Sequence, residues 1–266
     1  MATEARLGAA LRHWPEYAME AALLGTFMVA ACGVTTLLEH PHSPIRQALP
    51  DPLARRALIG MAMGATAVGL IHSPFGQRSG AHFNPSVTLT FLRLGKIRPR
   101  DAAAYVAAQF VGGVLGVLFA AGVLGMRLAD ERVRYAATAP GPAGVAVAFA
   151  AEAAISFGLM LSVLLLSNHP RYAGLTGVAA GSLVALYITV EAPLSGMSMN
   201  PARSFASAVP AGAWSALWVY FTAPPLGMLA AAELYLRTHG AAAVLCAKLH
   251  HRNSRRCIFC ESRSSR

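Results

Sequence analysis

The sequence predicts an all-α membrane protein with six transmembrane helices and two re-entrant half-helices arranged as an inverted repeat. Three observations carry this reading. Of the 266 residues, 55% are hydrophobic and only 13% charged, whereas a soluble domain carries roughly 25% charge. The apolar residues fall into blocks long enough to cross a bilayer. The two halves of the chain repeat one another, and each contains an Asn-Pro dipeptide opening a segment too short to cross.

The blocks come first. Met19 to Leu38 holds one charge, Glu20. Ala57 to Ser73 is shorter but uncharged, flanked by Arg55, Arg56 and Arg78. Ala102 to Leu124 and Tyr172 to Val190 hold no charge, Val145 to Leu166 only Glu152, and Trp214 to Tyr235 only Glu233. Most approach the ~20 residues that cross a ~30 Å hydrocarbon layer, so six spans are expected. Glu4, Arg6, Arg12 and Glu16 precede the first block, and that block is too long for a cleavable signal core, so the first span is retained. With the N-terminus inside, 15 of the 22 Lys and Arg residues fall on the inner side. Both termini are therefore expected in the cytoplasm, and the net charge of +10 reads as topology, not as a nucleic-acid surface.

The halves align without gaps within blocks. Glu20-Ala-Ala-Leu with Met28 corresponds to Glu152-Ala-Ala-Ile with Met160, and Ser79-Gly80…Asn84-Pro85 to Ser195-Gly196…Asn200-Pro201. Tyr105, Ala108 and Gly112 keep the spacing of Tyr220, Ala223 and Gly227. Three spans per half force the second half to insert upside down, a plan that places a site near the midplane. The expected division is a cytoplasmic N-terminal segment 1–15, a first repeat 16–126, a second repeat 144–237, and a basic Cys/His cytoplasmic tail 238–266.

The short segments are half-helices at 85–94 and 201–208. Ten residues rise only ~15 Å, half the apolar thickness. Asn84 and Asn200 are favoured N-caps, and Pro85 and Pro201 favoured first helical residues. Entering from opposite faces, the two N-termini direct partial positive charge at one central spot. Non-helical backbone at that depth must line a wet cavity or be buried in protein.

The stretches Ser79-Gly80-Ala81-His82-Phe83-Asn84-Pro85-Ser86-Val87-Thr88 and Ser195-Gly196-Met197-Ser198-Met199-Asn200-Pro201-Ala202-Arg203-Ser204 resemble the two loop signatures of the aquaporin (major intrinsic protein) family. Tyr105-Val106-Ala107-Ala108-Gln109 and Trp218-Val219-Tyr220 resemble its third and sixth spans. The resemblance covers roughly residues 17–236. It implies a passive channel for water, with small neutral solutes such as glycerol as further permeants, assembled as a homotetramer in the plasma membrane. It also implies pore asparagines at Asn84 and Asn200, and a selectivity filter of Met63, Ile188, Met197 and Arg203. Glu20 and Glu152 would support the loops, with His82 orienting the first. Arginine inside a membrane segment is costly and marks function by default. This filter departs from the pattern of strict water channels, which pair the arginine with a histidine and an aromatic. Met, Ile and Met favour solutes with carbon faces, yet Ser204 stands where glycerol facilitators carry aspartate. Ser86 replaces the usual alanine.

The tail offers Cys246, His250, His251, Cys257 and Cys260, residue types suited to zinc. A basic anchor on anionic lipid is the competing reading, and truncation after Arg237 is expected to abolish metal binding while leaving permeability intact. No other cofactor is expected. No nucleophile–base pair or nucleotide loop points to an enzyme. The alternative class is a secondary transporter coupled through Glu20 and Glu152, since such proteins share inverted repeats and broken helices.

Overall fold

A computed structural model describes residues 2–264, with side chains from Arg12 to Glu261. The spans are Ala2–Glu39, Pro52–His72, Pro99–Leu124, Val145–Ser167, Thr176–Val190 and Leu217–His239. A short 3₁₀ turn, Ala173–Leu175, extends the fifth span. Five spans are long and apolar enough to cross a membrane by length and composition alone. The sixth has the length but is diluted by Pro224, Pro225, Glu233 and Arg237. It packs against the fourth span as the third packs against the first, while the second packs on the fifth. This pairing carries the repeat into three dimensions.

Prolines and caps punctuate the chain where the sequence places them. Asp51 accepts from the N–H groups of Leu53 (3.0 Å) and Ala54 (3.3 Å) ahead of Pro52. The half-helices run Pro85–Arg93 and Pro201–Ala211. The second is three residues longer than expected because it continues through Pro210 to a left-handed Gly212 (φ 64°), whose N–H closes on the Ala208 carbonyl. The segment before residue 16 is not a separate piece. The first helix starts at Ala2 and continues through Pro15, and His13 (2.9 Å) and Tyr17 (2.5 Å) both bond Asp101 at the start of the third span.

Close helix packing follows the repeat. A Cβ on Gly112 would stand 2.1 Å from the Ala21 carbonyl oxygen, and one on Gly227 would stand 2.2 Å from that of Ala153. Ala21 and Ala153 follow the two equivalent glutamates, so each glycine brings its span against the helix that carries the loop support. On the outside, Val111, Leu115, Phe119 and Val123 are exposed at four-residue steps along the third span, a stripe suited to lipid tails or a neighbouring subunit. Trp14, Trp214 and Trp218 are also exposed, as interfacial anchors are.

The tail is folded, contrary to a loose lipid anchor. Val244, Ala247, Lys248, Leu249, Ile258 and Phe259 are all buried. The Leu249 N–H donates to the Gly80 carbonyl at 3.1 Å, so the tail docks on the first re-entrant loop.

Replacing Gly227 by valine forces overlap with backbone that has no freedom to yield. The expected loss is at least ~1–3 kcal/mol, read as a lower melting temperature of the detergent-solubilised protein. An unchanged melt contradicts the packing described.

Candidate functional site

The two half-helices meet through their capping asparagines. Asn84 Oδ1 accepts from the Ser86 N–H at 2.8 Å; Asn200 Oδ1 accepts from Ala202 (3.0 Å) and Arg203 (3.2 Å). Each amide nitrogen then reaches across the junction. Asn84 Nδ2 donates to the Met199 carbonyl at 2.7 Å, and Asn200 Nδ2 donates to the Phe83 carbonyl at 2.8 Å. An amide nitrogen carries two hydrogens, so one locks the opposite loop and the other remains for a guest. Pro85 and Pro201 are buried at the first helical positions, where a missing N–H costs nothing.

The loops before the asparagines are strained in the same way. Ala81, Phe83, Met197 and Met199 have φ between 28° and 57°, a region that L-residues avoid. Two carboxylates hold them. Glu20 accepts from Ser79 Oγ (2.7 Å) and from the N–H groups of His82 (3.1 Å) and Phe83 (2.6 Å). Glu152 accepts from Ser195 Oγ (2.7 Å) and from the N–H groups of Ser198 (2.6 Å) and Met199 (2.7 Å). Tyr105 and Tyr220 complete each clamp, donating to the carbonyls of Ser79 (2.6 Å) and Ser195 (2.5 Å). The tyrosine roles were not assigned from sequence, although their matched spacing in the repeat was a usable signal. Gln109, which closes the Tyr105–Gln109 motif but was given no role from sequence, adds a bond to Glu20 at 2.9 Å.

His82 breaks the symmetry with Ser198. Its Nδ1 faces Thr88 Oγ1 (3.0 Å) and its Nε2 faces the Ala247 carbonyl of the tail (2.7 Å). A carbonyl only accepts, so Nε2 carries the proton, and the ring is stacked between Phe91 and Phe259.

A cavity of about 270 Å³ passes this junction, and Asn84, Asn200, His82, Met63, Ile188, Met197 and Arg203 all line it. Arg203 Nη1 is buried with no hydrogen-bond partner among the described residues. Met63, Ile71, Leu159, Val163, Ala180, Ile188 and Met197 give the wall apolar side chains, and Arg56 and Arg132 line it as well as Arg203. Ser204 does not line the cavity. It is 1% exposed and bonds Thr138 Oγ1 (2.7 Å) and Ser198 Oγ (2.6 Å). The clue it offered in the sequence therefore concerns loop packing. Ser86 is also fully buried, its hydroxyl without a partner among the described residues. Val133, Ala136 and Ala137, from the connection between the repeats, reach the cavity wall. Nothing in the apolar pattern singled them out.

In the tail, the ligand atoms of Cys246, His251, Cys257 and Cys260 lie within 4.8 Å of one another. His250 is not part of this group. Its ring lies against His72, with centroids 5.0 Å apart, because the adjacent position in the chain turns it toward the second span.

Comparison with known proteins agrees with the geometry. The sequence profile of the family described as "Major intrinsic protein" matches residues 11–235. Aquaporin NIP1-2 of Oryza sativa subsp. japonica is 34% identical over 224 residues, covering 81% of this chain and 69% of that protein. Aquaporin NIP1-1 of Arabidopsis thaliana is 31% identical over 219 residues, covering 81% and 71%. The X-ray structure of the aquaglyceroporin from Plasmodium falciparum superposes with a TM-score of 0.69 at 19% identity, over 87% of this chain and 98% of that one. That likeness shows the fold.

Glu152→Gln turns an acceptor into a group with one donor end, leaving at least one of three buried donors unpartnered. The expected cost is ~1–3 kcal/mol per orphaned donor, with a lowered melting temperature and reduced water flux in proteoliposomes. Wild-type stability and flux in this variant would remove the carboxylate from its supporting role.

Proposed function

Because the chain belongs to the major intrinsic protein family, we infer from its cavity that it passes water and small uncharged solutes with carbon faces, while excluding ions and protons. It is an integral, multi-pass membrane channel and not an enzyme. One observation carries the solute reading: Arg203 Nη1, without a protein partner among the described residues, belongs to a cavity whose lining is mostly apolar and includes Met63, Ile188 and Met197. A solute hydroxyl or a water oxygen meets the guanidinium there, and its carbon face meets sulfur and methyl groups. Glycerol and molecules of similar size fit this division.

Charge exclusion has two sources. The half-helix N-termini and Arg203 set positive potential along a narrow path. At an effective dielectric of ~20, a unit charge ~4 Å from a cation opposes it by ~4 kcal/mol, about a thousandfold in population. At the junction, a water accepting from both asparagines turns its own hydrogens outward and interrupts a proton wire. Transport coupled to ions through Glu20 and Glu152 is disfavoured. Both carboxylates are fully buried, both are used by the loops, and neither lines the cavity.

The distribution of basic residues supports cytoplasmic termini, and the plasma membrane is the location that goes with this reading. Family membership supports a homotetramer with one pore per subunit, which chemical crosslinking tests by trapping a four-chain species.

Stopped-flow light scattering on proteoliposomes, first with an impermeant osmolyte and then with glycerol, measures the permeants directly. Swelling in glycerol no faster than in empty liposomes overturns the carbon-face reading and leaves water alone. Arg203→Val is expected to keep or raise neutral-solute flux while adding a proton or cation leak visible with a pH-sensitive dye. An ion-tight variant that merely loses neutral flux makes the arginine structural.

A further inference from the structure

We propose that Cys246, His251, Cys257 and Cys260 bind one tetrahedral zinc-class divalent ion, and that this ion clasps the tail as a lid over one mouth of the pore. The closing role rests on the channel reading above; the metal site does not.

The geometry of the ligands comes first. Zn–S bonds of ~2.3 Å and Zn–N bonds of ~2.0 Å place tetrahedral ligand atoms ~3.5–3.8 Å apart. Cys246 Sγ lies 3.5 Å from Cys257 Sγ and 3.7 Å from Cys260 Sγ, and Cys260 Sγ lies 3.9 Å from His251 Nε2. The remaining pairs, out to 4.8 Å, close onto an ion by side-chain rotation. Three thiolates and one imidazole select a soft or borderline ion over magnesium or calcium. Three thiolates around a divalent ion leave one excess negative charge. The Lys248 ammonium lies close enough to interact with all three cysteines; its side chain is buried and donates to the carbonyls of Arg255 (3.3 Å) and Arg256 (2.8 Å).

The fold of the tail points the same way. From Val244 to Cys257 it has no helix or strand beyond turns and bends, and irregular segments of this size are commonly stapled by a metal or disulfides. None of the four cysteines of the chain forms a disulfide.

The cluster sits where it can act on the pore. Between Cys246 and His251 lie Ala247, whose carbonyl accepts from His82, and Leu249, whose N–H is bound by Gly80 and whose side chain joins the cavity wall. Phe259, next to Cys260, stacks on the other side of His82 with ring planes 2° apart. The residues that join the cavity wall and brace the first loop are thus interleaved with the ligands. Fixing the ligands fixes Leu249, and removing the ion frees the segment to lift away. This revises the expectation that truncation after Arg237 leaves permeability intact.

The test uses the purified full-length channel. Elemental analysis should find about one zinc per chain, and Cys257→Ser with Cys260→Ser should lose it while keeping the wild-type elution volume. Cobalt exchanged into the wild-type protein should give the intense visible bands of tetrahedral Co(II) and a thiolate charge-transfer band. In proteoliposomes, stripping the metal with a membrane-permeant chelator should raise water flux several-fold, and restoring zinc should reverse the rise. Metal-free wild-type protein, or metal kept by the double variant, overturns the site. So does a tail that loses two mass units per chain to a disulfide and responds to reductant instead of zinc. Metal bound with flux indifferent to its removal overturns the lid. Absence of flux in both states refutes the channel reading, and the metal count and cobalt spectrum then judge the site alone.

Discussion

Two buried carboxylates make the rest of the structure possible. A pore through the centre of a bilayer needs donors and acceptors at its midplane, and helices hide theirs. This chain exposes backbone there by breaking two helices, which leaves N–H groups with no intrahelical partner in a place where an orphan costs several kcal/mol. Glu20 and Glu152 take up those donors, and the tyrosines of the third and sixth spans fix the carbonyls beside them. With the backbone so held, left-handed conformations at Met197 and Met199 persist, because the surroundings over-determine them. The carboxylates act as scaffold, which is why acidic residues deep in the membrane do not imply coupling to protons here.

The junction adds a second economy. Each asparagine caps its own half-helix with its oxygen and ties the opposite loop with one hydrogen of its nitrogen. The two halves are therefore registered to each other by the same side chains that face the cavity, and their positions relative to Arg203 follow from helix geometry. Arg203 shares its cavity with Met63, Ile188 and Met197, and methionine adapts to irregular contacts.

The two ends of the pore differ because the repeat is imperfect. At one end Ser198 bonds Ser204 and, through it, Thr138, so the connection between the repeats packs down by neutral hydroxyl contacts. At the other end the equivalent position is His82, and what packs down on it is the tail. The two re-entrant loops thus carry different partners: hydroxyls of the inter-repeat connection on one, and on the other a tail with cysteine and histidine side chains.

The sequence by itself determined the architecture. Apolar runs, the distribution of charge and a duplicated Asn-Pro each report on burial or on local backbone preference, and these depend on residues near in the chain. They placed the six spans, the half-helices, the glutamates and the cavity-lining side chains Asn84, Asn200 and Arg203. Tertiary structure decided what depends on residues far apart. It turned Ser204 away from the cavity, set Gln109 beside Glu20, brought Val133 and Ala136 into the wall, left His250 out of the cysteine cluster, and added Leu249 of the tail to the cavity wall. No local pattern encodes these, because a side chain on a loop takes its direction from whatever surface the loop happens to pack against. The tail shows this most plainly: its basic residues read as a tether to lipid, and only the contacts of Ala247 and Phe259 with His82 reveal that its burial is against the pore itself.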